Sequence, residues 1–143
     1  MELIHAVCAS AGIVLGAVQM VRPKGSRPHR WIGRGYVAAM LVTALSSFWL
    51  TGFGDGYSFL HLLSIWVLGT LVLNVRYLRN GNIIGHAYSM ICLYGGLLTA
   101  GIFATQRHGM DAPTPVLVAM VVTLWVATMA IAENMRRRMI ATG

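Results

Sequence analysis

"KGSRPHRWIGRGY", Lys24 to Tyr36, is the stretch whose reading decides the fold. It is basic and rich in glycine, yet it separates two long apolar runs, approximately Ile4–Val21 and Tyr36–Phe53. Ser26 has the side chain of a helix N-cap, and Pro28 suits a first helical turn. The stretch therefore reads as a charged loop that becomes a helix, with His29 in its opening turns. A basic loop between two apolar helices is the usual architecture at a membrane surface, and the rest of the chain has to agree with it.

It does agree. Only 10% of the 143 residues are charged and 57% are apolar, and the mean hydropathy is +0.67. Soluble domains average roughly 25% charged residues, so a soluble surface could not be covered. Three further apolar runs follow, approximately Phe59–Tyr77, Ile83–Thr105 and Pro115–Ala132. A helix needs roughly 20 apolar residues to cross a hydrocarbon core about 30 Å thick. The runs are continuous rather than alternating, so helices are expected and a β-barrel is not. The expectation is an all-α integral membrane protein of five transmembrane helices, a single domain over residues 1–143. The start, "MELIHAVCASAG", carries Glu2 and no basic n-region, and reads as a retained first helix rather than a signal peptide.

Charge fixes the expected orientation. Arg22, Lys24, Arg27, Arg30 and Arg34 lie between the first two runs, Arg76 and Arg79 between the third and fourth, and Arg136, Arg137 and Arg138 after the fifth. Only Arg107 falls on the other side, where Asp55 and Asp111 also lie. The positive-inside rule puts the N-terminus outside and the C-terminus in the cytoplasm. The net charge of +7 is thus a topology signal. Short juxtamembrane clusters suit anionic lipid headgroups, and they lack the continuous basic face that nucleic acid requires. Trp31, Trp49, Tyr57 and Tyr77 mark the interfaces. Cys8 and Cys92 fall near opposite ends of different spans and read as buried thiols rather than a disulfide.

The opening loop has a counterpart in "NGNIIGHAYSM", Asn80 to Met90. Each holds a glycine followed by a capping residue, Ser26 or Asn82, and then a histidine, His29 or His86. His5 and His61 fall near the outer ends of the first and third spans. Spans 1–2 and 3–4 therefore read as parallel helical-hairpin repeats around a four-helix core. The histidine-bearing faces carry small or mildly polar residues. These are Cys8, Gly12 and Gly16 on the first span, and Gly33, Tyr36, Met40, Thr43 and Ser47 on the second. Ser64 and Leu68 follow on the third, and Met90, Leu93 and Leu97 on the fourth. Such faces should point into the bundle, and Gly12-x-x-x-Gly16 is a close-packing pattern.

Imidazoles from alternate helices are suited to clamp a porphyrin inside a bundle. His5 with His61, and His29 with His86, are the candidate haem-iron ligands, one pair near each face. Trp66 and Trp125 are candidates to pack against the porphyrins. The function expected is a b-type cytochrome-like protein with haem b, exchanging electrons with quinone or another membrane carrier. The alternative is a cofactor-free accessory subunit of a larger respiratory or photosynthetic membrane complex, docking through small-residue faces. Interfacial histidines that cap helices or meet lipid phosphate are the simplest account of the same residues. Ion or proton transport is disfavoured, because no Asp, Glu, Lys or Arg lies at mid-span. No catalytic residue is indicated. A zinc site at His29 and His86 lacks further ligands at suitable spacing.

The quoted loop, the "ALSSFW" end of the second span, "SFLHLLS" and "GHAYSMICLYGGLLTAGIFA" together resemble a known family. It is the bacterial family of small membrane proteins catalogued as domain of unknown function 2306. The resemblance covers Ile4 to Ala104, and His5, His29, His61 and His86 fall at the family's histidine positions. It departs at Ala87, where the family usually has arginine, and in "ATQRHGMDAPT", which lacks the family's Pro-Gly-Arg ending. The resemblance implies fold and topology and implies no activity.

The distribution of basic residues makes a direct prediction. A reporter fused after Gly143 reads cytoplasmic, and one inserted in the Ala112–Thr114 loop reads external. An external C-terminus breaks the five-span arrangement.

Overall fold

The computed structural model describes residues 1–50, 59–107 and 114–141. Expectations that fall on Asp55, Tyr57, His108 and Asp111 lie outside the described residues. Five helices occupy the five apolar runs: α1 Glu2–Val21, α2 Arg27–Ser47, α3 Phe59–Arg79, α4 Ile83–Arg107 and α5 Thr114–Ala141. Among the described residues there is no strand. Among the described residues three stretches are long and apolar enough to cross a membrane: Glu2–Val21, His61–Arg79 and Ile83–Ala104. The protein is therefore all-helical and membrane-embedded. The second and fifth helices differ from the other three for visible reasons. α2 starts at Arg27 behind the expected Ser26 cap, nine residues before its apolar run at Tyr36, so its first turns carry Arg27, Arg30 and Arg34. α5 continues past its apolar run through Glu133 and three arginines.

The loops that lead into α2 and α4 are built alike. Gly25 has φ +77° and Gly81 has φ +69°, a left-handed conformation that a side chain would strain. The next residue caps the helix in each case. Ser26 Oγ accepts from the His29 backbone N–H at 3.2 Å, and Asn82 Oδ1 accepts from that of Gly85 at 2.8 Å. Each such cap contributes about 1 kcal/mol. Lys24 closes the preceding helix, its ammonium donating to the carbonyls of Gln19 at 2.6 Å and Met20 at 3.0 Å. A cation at a helix C-terminus satisfies carbonyls that have no partner in the helix.

The chain forms two compact units, Met1–Val72 and Leu73–Gly143. In the first, α1 packs along α2. Gly12 and Gly16 are the buried residues of α1, and Tyr36, Met40, Ala44 and Ser46 those of α2. Gly33 admits the Gln19 side chain: a Cβ there would lie 2.7 Å from Gln19 Nε2. In the second unit, α4 packs along α5. Leu93 and Leu97 of α4 are buried, and so is Thr128 of α5, which sits over Gly95. In lipid there is little hydrophobic gain from bringing apolar helices together, so small residues and polar contacts carry the association.

Such a polar contact ties α4 to α5. Tyr88 Oη donates to Glu133 Oε2 at 3.3 Å. The same carboxylate takes two charged hydrogen bonds from Arg136, at 2.7 Å each, and one from Arg137 at 2.9 Å. The hydrogen bonds from Arg136 and then Arg137 pull the Glu133 carboxyl down to about 2. A depressed carboxyl favours the folded state above its ordinary value, and this contribution fades only as the pH falls through the lowered value. The connection is thus intact across the physiological range.

Candidate functional site

Polar groups gather at the C-terminal turn of α2 in the first unit. His5 Nδ1 of α1 lies 3.0 Å from Ser46 Oγ. The next residue, Ser47, meets Ser64 of α3 through its hydroxyl. The ring of Phe48, at the α2 C-cap, lies 5.7 Å from the ring of His61, centroid to centroid. The structure thus brings His5 and His61 to the same turn of α2, each on a different residue of it.

The proton on His5 follows from counting donors. The single hydroxyl hydrogen of Ser46 is directed to the carbonyl of Thr43 at 3.1 Å. With that hydrogen on Thr43, Ser46 Oγ offers His5 a lone pair, which matches the tautomer with Nδ1 protonated and Nε2 as the basic nitrogen.

The second unit holds a similar arrangement with a different partner. Asn74 of α3 is 1% exposed. Its Nδ2 donates to Met90 Sδ at 2.9 Å. Its Oδ1 faces His86 Nδ1 and lies 3.1 Å from Ser89 Oγ, whose single hydrogen also points at the His86 carbonyl at 2.9 Å. A thioether accepts only, so the amide is read with its nitrogen toward Met90 and its oxygen toward His86. In that arrangement His86 Nδ1 is the donor, which matches the Nδ1–H tautomer.

His29 is placed differently. Its carbonyl accepts from Gln19 Nε2 at 2.9 Å, while its Nδ1 and the Gln19 Oε1 are both buried without a hydrogen-bond partner. Burial pushes the His29 imidazole below its ordinary value, and the Lys24 charge acts in the same direction. His29 belongs to the first unit and His86 to the second. Trp66, expected beside a porphyrin, is 44% exposed and turned outward, whereas Trp125 is half-buried. Both cysteines are free thiols. Among the described residues no group of three or more His, Cys, Asp or Glu could hold a metal ion. A haem iron asks the protein for two imidazoles only, so that result does not bear on it.

Sequence reasoning found the four histidines and missed the residues that orient two of them. Asn74 interrupts "LVLNV", and an amide in an apolar helix must find hydrogen bonds inside the protein. That was the available signal. Ser46 differs from the noted Ser47 by one position on the helix, which decides whether it faces α1 or α3. Gln19 lies at the end of α1, among residues read only as apolar.

Helices apolar enough to cross a bilayer, with His5 and His86 beside polar side chains of neighbouring helices, define a helical membrane protein. The chain belongs to the family described as "Predicted membrane protein (DUF2306)", whose model matches residues 2–136. The match runs past Ala104, where the sequence resemblance ended, and takes in α5 as far as Arg136. No curated protein and no solved structure matches the chain.

The surroundings of His29 predict its titration. Its folded-state value lies below that of the unfolded chain, so the unfolded chain binds more protons over the interval between the two. Stability therefore falls as the pH drops through the ordinary histidine range of about 6.5. A ring-proton NMR titration of the full chain, with His29 assigned through His29→Gln, shows a midpoint below that range. In Lys24→Met the midpoint moves back up. A midpoint at or above the ordinary value contradicts this.

Proposed function

We propose that this chain is a b-type cytochrome-like redox protein of a bacterial inner membrane. In this reading all five helices span the bilayer, with the N-terminus outside and the C-terminus cytoplasmic. Spans 1–2 and 3–4 are parallel repeats. The matching Gly–cap turns at Gly25–Ser26 and Gly81–Asn82 support the repeat, and the clustering of basic residues supports the orientation. His5 with His61 forms the outer haem-ligand pair. The repeat in the sequence pairs His29 with His86 as the inner one.

The observation that carries this reading is the direction of the histidine hydrogen bonds. His5 and His86 set Nδ1 against polar side chains of neighbouring helices, and as Nδ1–H donors they keep Nε2 as the basic nitrogen. Histidines that ligate a metal nearly always have their other ring nitrogen engaged in this way. Haem supplies one-electron chemistry when bound. The chain supplies ligands, their orientation and a surround of low polarity that tunes the potential. A membrane quinol is the donor class that suits a carrier confined to the bilayer.

The accessory-subunit reading draws less support. The small-residue faces it would use for docking lie within the chain's own units: Gly12 and Gly16 are buried on α1, and Gly95 lies against Thr128.

The reduced-minus-oxidised absorption spectrum of the purified protein tests the proposal. It should have a Soret band and sharp α and β bands. His5→Ala and His61→Ala should remove one part of the signal, and His29→Ala and His86→Ala the other part. His108→Ala should remove neither. A blank spectrum from a well-folded sample favours the accessory subunit.

A further inference from the structure

We propose that Asn74 is the positioning residue of His86: its carboxamide oxygen takes the Nδ1 proton, fixes the tautomer and aims Nε2 as the ring's basic atom. The inference rests on reading His86 as a ligand-bearing histidine, but the tautomer is a property of this chain alone.

Three features of the geometry support a positioning role over simple helix association. The amide is 1% exposed, so water cannot replace either of its hydrogen-bonding ends. Its orientation is set independently of His86, because Nδ2 is committed to Met90 Sδ. Met90 and His86 are one turn apart on α4, so the thioether and the imidazole engage opposite ends of one amide. Ser89 Oγ lies 3.1 Å from the same oxygen and 2.9 Å from the His86 carbonyl, so its one hydrogen is shared between them. Rotating the amide would set its oxygen against the thioether and its nitrogen against the Nδ1 hydrogen, so one arrangement is strongly preferred. An amide needed only to join α3 to α4 would work in either orientation and with any tautomer of His86.

The test uses the full chain in lipid nanodiscs, labelled with 15N-histidine, above the ordinary histidine titration range so that the rings are neutral. His86 is assigned through His86→Gln. In haem-free protein, His86 Nδ1 carries the proton in the wild type and in Met90→Leu. In Asn74→Leu the proton moves to Nε2. In Asn74→Asp, which keeps an oxygen acceptor, the proton stays on Nδ1 and its signal shifts as the hydrogen bond strengthens. A wild-type proton on Nε2 overturns the proposal, as does an unchanged tautomer in Asn74→Leu. Should Asn74→Leu not fold, an Nδ1 signal that stays in place in Asn74→Asp overturns it. Where the purified protein carries haem on His86, the readout is the midpoint potential. That potential falls in Asn74→Asp, because a more anionic imidazole favours the ferric ion, and is unmoved in Met90→Leu. Equal potentials in wild type and Asn74→Asp sink the positioning role and leave haem ligation standing. An Asn74-dependent tautomer in protein that binds no haem does the reverse.

Discussion

A buried amide in a lipid-facing helix has no water to turn to, and that constraint organises the second unit. Each unsatisfied polar group in hydrocarbon costs several kcal/mol. Asn74 meets the requirement with both ends of its carboxamide on α4 side chains. Once those hydrogen bonds are made, the rotation of α4 about its axis and the protonation of His86 are settled together. Interhelical hydrogen bonds in membranes are worth on average only about 0.6 kcal/mol. The network therefore matters more for which arrangement forms than for total stability.

The first unit meets the same requirement through hydroxyls. Serine on a helix can turn its hydrogen to a carbonyl of its own preceding turn, as Ser46 and Ser47 both do. It is then left as an acceptor for a neighbour. That local habit makes Ser46 a lone-pair surface for His5 Nδ1. Close approach of α1 to α2 at Gly12, Gly16 and Gly33 is what brings the side chains within reach. Outside the spans the chemistry changes to charge. Lys24 closes α1, and Glu133 with Arg136 and Arg137 secures α5 to Tyr88 of α4.

The helices were legible because apolar runs of this length have few alternatives, and the caps were legible because Gly–Ser and Gly–Asn ahead of a helix have a known local geometry. The buried faces followed from periodicity: Tyr36, Met40, Leu93 and Leu97 all lie in the packed interior. Other features depend on contacts that one chain position does not encode. The role of Asn74 depends on which residues of α4 it meets. The outward face of Trp66 depends on a helix rotation that its apolar neighbours, Ile65 and Val67, leave undecided. The histidines were found by type, and their tautomers emerged only from their partners.

The account stands on the claim that these oriented imidazoles ligate haem iron in pairs. Low-temperature electron paramagnetic resonance of the oxidised protein, extracted without added cofactor, tests it most directly. The account predicts low-spin ferric haem with two axial imidazoles at each centre, and no high-spin component. A high-spin ferric signal would mean single ligation and contradict the pairing, and a folded protein with no ferric haem signal would contradict the claim outright.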